Sequence, residues 1–260
     1  MRLLYLTDTH IRNNNPKNRI DNFPESLKVK LQEVIQLTND LEIDYLLHGG
    51  DLFDVPWPPA ESAKLAINFL EQVEVPMYVV SGNHDLVGQK LSTLDDTLLG
   101  YLAQRGLFRL LTPGDKVYLK KANFTLQLSG QHYYGNIDRN NQLRDYCVKK
   151  ENCDVAVHMV HGMLLPKAFS PKVPATLIDQ VGPRTEADFT LCGHAHLGYP
   201  TNEINGRYFI NPGSISRMFA LEREVIRTPQ VVLLDFSGGK LDYQYIALKS
   251  ARPGEEVLRF

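Results

Sequence analysis

Three short apolar runs in the first third of the chain, RLLYLTD (2–8), YLLHGGD (45–51) and PMYVVSG (76–82), are separated by longer stretches of helical period. Between the first two, Leu27, Leu31, Val34, Ile35 and Thr38 share one face, and Pro24 and Glu25 suit a helix's first turn. Ala66, Phe69, Leu70 and Val73 repeat the pattern before the third run. A third helix is expected from about Ser92, with Leu94, Leu98, Tyr101 and Leu102 turned inward and Gly106 as its stop. This β-α-β-α-β order predicts a parallel sheet covered by helices, because parallel neighbours need long crossover connections.

The second half is richer in strands: KVYLKK, FTLQLSG, CDVAVHMVHG, ADFTLCGH, GRYFINPGS, PQVVLLDFS and LDYQYIAL. One helix is expected near Asp138–Lys150, and the last two strands read as an antiparallel hairpin around Ser237-Gly238-Gly239-Lys240. Without repeats or a composition break, residues 1–260 read as a single α/β domain with two sheets in its middle and helices outside. The net charge of -2 argues against a protein that coats nucleic acid, though not against a local basic rim. Three cysteines without CxxC spacing suit reduced thiols, the N-terminal apolar run is too short for a signal sequence, and no stretch would span a membrane. The expected location is the cytoplasm.

Ligands of layered α/β folds gather at the carboxyl ends of strands, and each such end here is polar. The first carries Asp8-Thr9-His10, the second Gly49-Gly50-Asp51 with Asp54 beyond, and the third Gly82-Asn83-His84-Asp85. Later runs end in His161-Gly162 and in Gly193-His194-Ala195-His196. Five of the eight histidines fall in these pieces, beside small residues that leave access, so the ordered set points to a site although each piece alone is weak. Asp, His and Asn are oxygen and nitrogen ligands suited to manganese, iron, zinc or magnesium. Two cations about 3.5–4 Å apart need a bridging carboxylate and activate a shared water for in-line attack on phosphorus.

These five blocks, in this order, resemble the calcineurin-like metallophosphoesterases over about residues 1–220, including Asn211-Pro212-Gly213-Ser214 after the last block. The resemblance implies a four-layer α/β/β/α sandwich with two mixed central sheets. It also implies one divalent metal, manganese above all, held by Asp8, His10 and His196, and a second held by Asn83, His161 and His194. Asp51 would bridge them. His84 would stabilise the transition state or protonate the leaving oxygen, oriented by Asp54. Residues i and i+2 of an extended segment share a face, so His194 and His196 can enter one cleft and serve different metals.

His158 lies three residues before His161 but inside the apolar VAVHMV, so His161 is the expected ligand and His158 a core or supporting residue. His48 and His132 read as packed structural histidines, and Cys192 as a small buried residue. Arg217 would either contact a phosphate or be an ordinary surface arginine. Gly49-Gly50-Asp51-Leu52-Phe53-Asp54 and the leucine-rich segment after Gly82-Asn83-His84-Asp85 look like the SbcD-type DNA break nucleases. Serine/threonine protein phosphatases instead place arginine where Val55 stands. SbcD-like enzymes usually continue into a DNA-capping domain and a segment that binds an ATPase partner, and no separate capping domain is expected before Phe260. DNA would be gripped by Arg12, Lys17 and Arg19 in the Asn-rich loop, unless that loop is merely solvated. The alternatives are a phosphodiesterase or phosphatase for nucleotides or other small phosphoesters, and a metal-free scaffold for partner proteins. Scaffold relatives, a retromer subunit among them, would be expected to lose ligands, and none is missing here.

Overall fold

A computed structural model describes residues 1–139, 143–238 and 241–259. The first sheet contains β1 (Arg2–Leu6), β2 (Tyr45–His48), β3 (Met77–Val79) and β4 (Arg109–Leu110), which are parallel neighbours in that order. The second is built around β5 (Val117–Lys121), β6 (Phe124–Gln131), β7 (Val155–Val160), β10 (Phe189–Cys192), β11 (Tyr199–Ile204) and β12 (Arg207–Asn211). Its order is β11-β12-β10-β7-β6-β5, parallel in the middle and antiparallel at both edges. A two-stranded ribbon pairs β8 (Leu164–Leu165) with β9 (Thr176–Leu177). Near the end of the chain, β13 (Gln230–Asp235) and β14 (Asp242–Ala247) pair antiparallel, and β13 returns to the first sheet beside β1. The turn residues Gly239 and Lys240 lie outside the described residues.

Side-chain alternation divides each strand of the first sheet between two cores. Leu3, Tyr5, Leu47, Tyr78, Val232 and Leu234 face the second sheet and meet Leu128, Val157, Met159, Phe189, Leu191 and Ile210. Leu4, Leu6, Leu46, Val79 and Leu233 face outward, against α1 (Phe23–Asp40), α2 (Ala60–Gln72) and α3 (Leu98–Gln104). The outer face of the second sheet is covered by Tyr146, Ile137 and the short helix α4 (Ile178–Val181). The result is the four-layer α/β/β/α arrangement with two mixed six-stranded sheets.

Local chemistry explains where the helices begin. Asn22 Oδ1 accepts from Glu25 N at 3.2 Å and caps α1, with Pro24 in its first turn. Its inner face is Phe23, Leu27, Leu31, Val34 and Thr38, together with Lys30. Two helical expectations change. The third helix is interrupted at Thr97, whose backbone is extended and whose hydroxyl oxygen accepts from Gly100 N; a 3-10 segment (Leu91–Asp96) precedes it and α3 follows. Tyr101 consequently faces solvent. The segment near Asp138–Lys150 shows only one 3-10 turn, Leu143–Asp145, among its described residues. Asp138 has a positive φ of 65° and spends its carboxylate on Tyr146, Thr176 Oγ1 and Met163 N, tertiary bonds that a helical start would not allow.

Phe189 anchors the inter-sheet core, with Tyr208 and Phe236 rings 5.1 and 5.7 Å away. Phe189→Ala should lower unfolding free energy by about 3–5 kcal/mol in urea titration. A loss under about 1 kcal/mol would contradict tight packing of the two sheets there.

Candidate metal centre

The strand ends meet because the ladders continue past the strands. Asp8 N donates to Gly50 O and His10 N to Asp51 O, both at 3.0 Å, which carries the first two blocks side by side beyond β1 and β2. His161 Nδ1 donates to Gly49 O at 2.7 Å, tying the second sheet to the first at the same level. Here the backbone departs from regular structure: Asp8, His10, Asp51 and His194 all have positive φ, between 47° and 70°. Non-glycine residues seldom adopt this region, and several together in one cleft mark a site. Gly50 and Gly82 are required for contact reasons. A Cβ at Gly50 would strike the His161 ring, and one at Gly82 would strike the Asp51 carboxylate.

Two clusters of ligand atoms share one carboxylate. Asp8, His10, Asp51 and His196 form the first; Asp51, His161 and His194 form the second. His10 Nε2 lies 3.0 Å from His196 Nε2 and 3.7 Å from Asp51 Oδ2, and His196 Nε2 lies 3.5 Å from Asp8 Oδ1. His161 Nε2 lies 3.3 Å from both Asp51 Oδ2 and Asn83 Oδ1, so Asn83 completes the second cluster. Asp51 Oδ1 accepts from His84 N at 2.7 Å, whereas Oδ2 is buried with no hydrogen-bond partner. A buried carboxylate oxygen without a donor, faced by imidazole nitrogens, fits divalent cations shared through Asp51. Bonding of His161 Nδ1–H to Gly49 O fixes its tautomer and leaves Nε2 free to coordinate.

A third group places His84 over His10 and Asp54, with the His10 and His84 rings 4.7 Å apart, edge to face. His84 Nδ1 donates to the Asp54 backbone carbonyl at 2.9 Å; the Asp54 carboxylate is 3.9 Å away and is engaged by Arg12 at 2.9 Å and faced by His10 Nδ1 at 3.5 Å. The peptide of Asp54, more than its carboxylate, therefore orients His84, whose side chain is 41% exposed at the mouth of the cleft.

Arg12 reaches the cleft, but the other proposed basic contacts do not. Arg19 is buried in an ion pair with Asp21 at 2.6 Å, so the loop offers no three-cation patch; Lys17 alone is exposed and Arg12 is committed to Asp54. Arg217 is buried too, and its guanidinium donates to Arg252 O, away from the clustered ligands. The remaining histidines are packed. His158 bonds Ser129 Oγ and Asp145 O, His132 accepts from Ser81 N, and His48 supports Thr9 and Gly50 from beneath the site.

Several supports had no clear sequence signal. Asp85 accepts from Gly82 N and Phe53 N at 2.8 and 3.0 Å, joining the second and third blocks. Ser214 Oγ and Ser216 Oγ donate to the carbonyls of Asp8 and Thr9 at 2.6 Å, and Asn211 Nδ2 donates to Ala195 O at 3.2 Å. The NPGS stretch could have suggested this, because it follows the last histidine block directly. Tyr133 and Phe219 border the histidines, with rings 5.5 Å from His194 and 5.4 Å from His196; nothing in their neighbourhoods announced it.

Charges in the cluster oppose one another. Burial disfavours ionised Asp8 and Asp51, but the surrounding imidazoles outweigh it and hold both carboxyls well below the usual range. Burial alone would depress His161, yet Asp51, Asp8 and the Gly49 carbonyl retain its proton, and it is raised to about 9. His194, without such a partner, is lowered to about 4 by burial and by His161. At pH 7.5 the metal-free second cluster thus carries a proton on His161 and none on His194. A cation taking both rings must displace it, so manganese titration in buffers of different ionisation enthalpy should show release of about one proton per bound ion there. A binding enthalpy independent of buffer would contradict this protonation pattern.

The family profile described as calcineurin-like phosphoesterase matches residues 1–198. The DNA double-strand break repair protein Mre11 of Methanococcus maripaludis is 29% identical over 91 residues, covering 33% of this chain and 23% of that protein. The Thermoplasma acidophilum protein of the same description is 24% identical, covering 96% of this chain and 66% of its own length. The chain thus spans less than two thirds of these relatives. Among solved structures, the calcineurin-like phosphoesterase YfkN of Bacillus subtilis superposes with a TM-score of 0.60 at 16% identity, over 96% of this chain and 90% of that one.

Proposed function

The chain belongs to the calcineurin-like phosphoesterase family, and on that premise we propose that it is a di-metal phosphodiesterase with DNA as its substrate, residues 1–260 acting as one catalytic domain. The observation that carries the di-metal reading is Asp51, common to both ligand clusters, whose Oδ2 is buried without a hydrogen bond and faces imidazoles of each. Asp8, His10 and His196 would hold one ion, Asn83, His161 and His194 the other, with Asp51 between them. The bound ions, manganese in this reading, would neutralise the phosphate and lower the pKa of a water. The donor set of oxygens and imidazole nitrogens, without thiolate, supports that choice.

The protein's own contribution follows from position. Nδ1–H of His84 is committed to Asp54 O, which leaves Nε2 as the nitrogen that gives a proton to the leaving oxygen. Its partial exposure at the cleft mouth allows a substrate to reach it, unlike the ligand histidines beneath. Arg12 holds the Asp54 segment in place through its ion pair. The three cysteines are unpaired and no described helix is long and apolar enough to cross a membrane, in keeping with a cytoplasmic enzyme.

The DNA assignment draws on the Mre11 relatives. A second reading, a phosphodiesterase or phosphatase for nucleotides or other small phosphoesters, is favoured by the commitment of Arg12 and the burial of Arg19, which leave Lys17 as the one exposed cation of the loop expected to grip a DNA backbone.

Metal-stripped protein supplied with manganese should cleave both end-labelled linear duplex DNA and bis-p-nitrophenyl phosphate. Cleavage of the small diester alone would replace DNA by a small phosphoester; activity on neither would defeat both readings. Asp51→Ala should lose turnover and metal binding together. His84→Ala should keep both metals while kcat falls about 10²–10⁴-fold; an emptied site in that variant would refute the role given to His84.

A further inference from the structure

A cavity of about 380 Å³ opens between the short helix α5 (Glu222–Ile226) and the segment 251–255, and none of its lining residues belongs to the histidine–aspartate cluster. Its charged lining is three arginines, Arg217, Arg227 and Arg252, against one carboxylate, Glu255. Two have counter-charges, Arg227 with Glu224 and Arg252 with Glu256, each at 2.9 Å. Arg217 is only 3% exposed, and no carboxylate of the described residues lies within ion-pair distance of it. Its bond to Arg252 O uses Nη2, and its Nε is buried without a partner. Buried Arg19 and Lys30 stand behind it, and the neighbouring carboxylate Asp21 is already paired with Arg19. A guanidinium cannot relieve this by releasing its proton, so a desolvated positive charge remains beside an open cavity.

We propose that this cavity binds a small phosphate ester of nucleotide size. Arg217 and Arg252 grip the phosphate, while Val225, Ile226 and Pro253 form the wall for its organic part. The planar fork of arginine matches phosphate oxygens, and such contacts are charge-assisted. The volume exceeds what a bare phosphate needs and falls within the range of about 300–1,000 Å³ typical of small-molecule sites. Ile226, 75% exposed at the rim, gives an organic group apolar surface to cover. The site stands apart from the metal cleft and does not depend on what that cleft hydrolyses.

Calorimetric titration of metal-stripped protein in EDTA with AMP, inorganic phosphate and adenosine tests this directly. AMP should bind, phosphate more weakly, and adenosine not detectably. Arg252 is half exposed, so R252E should fold with an unchanged melting temperature yet lose AMP affinity by about tenfold or more. H84A, altered in the metal cleft, should bind AMP like the parent protein. The proposal is overturned by absence of AMP binding, by phosphate binding as tightly as AMP, or by binding that survives R252E and disappears in H84A.

Discussion

Everything at the strand ends is arranged around one buried negative charge. Asp51 sits where the two sheets come together, excluded from water, with one oxygen accepting from a peptide N–H and the other making no hydrogen bond, faced by the His161 and His10 imidazoles. An ionised carboxylate in such a place requires positive charge close by. Imidazoles from both sheets surround it for that reason, and those rings must be aimed from four separate strand ends, after β1, β3, β7 and β10. The unusual backbone at Asp8, His10, Asp51 and His194 follows from that aiming, since an extended continuation would carry these side chains past the cleft. Strain of roughly 1–3 kcal/mol at each such position has to be offset by the packed sheets beneath.

The fold was readable from the sequence because its strands and helices bury in a regular period. Leu27, Leu31, Val34 and Thr38 face the core as their spacing requires, and the strand runs reappear with small changes at their ends. The candidate ligand cluster was readable as a set because its members stand at strand ends beside glycines. Contacts between distant segments were not readable. Thr97 splits a helix through a side-chain cap on Gly100 N that residue spacing does not encode. Asp138 looked like the start of a helix and instead joins three segments. Arg19 was expected to grip DNA from a solvated loop, yet it is buried, as is Lys30, and their ends satisfy carbonyls of the loop after β12. Long amphipathic side chains can be drawn inward when main-chain acceptors await them, and sequence spacing does not record where those acceptors lie.

That inward draw also shapes the electrostatics. Several of the chain's cations are drawn into the region behind the cleft. Arg227 donates to the carbonyls of Ser214 and Ser216, Lys30 to that of Ile215 and Arg19 to that of Arg217. The same loop donates, through the hydroxyls of Ser214 and Ser216, to the main chain of Asp8 and Thr9. These cations thereby serve to position the loop that holds Asp8 and Thr9.

The strand that leads to Asp8 and His10 lies between a neighbour close to it in sequence, β2, and one made far later, β13. Arg2 bonds to Asp235 across 233 residues of sequence, and the loop that steadies Asp8 comes from beyond residue 210. As the chain leaves the ribosome, β1 and its helices can assemble, but one edge of β1 stays open and the loop carrying Asp8 and His10 stays unsupported. His161, His194 and His196 emerge later still. The cluster around Asp51 is therefore not assembled until the strands and loop up to residue 216 have been made, and its electrostatics arise together with the second sheet.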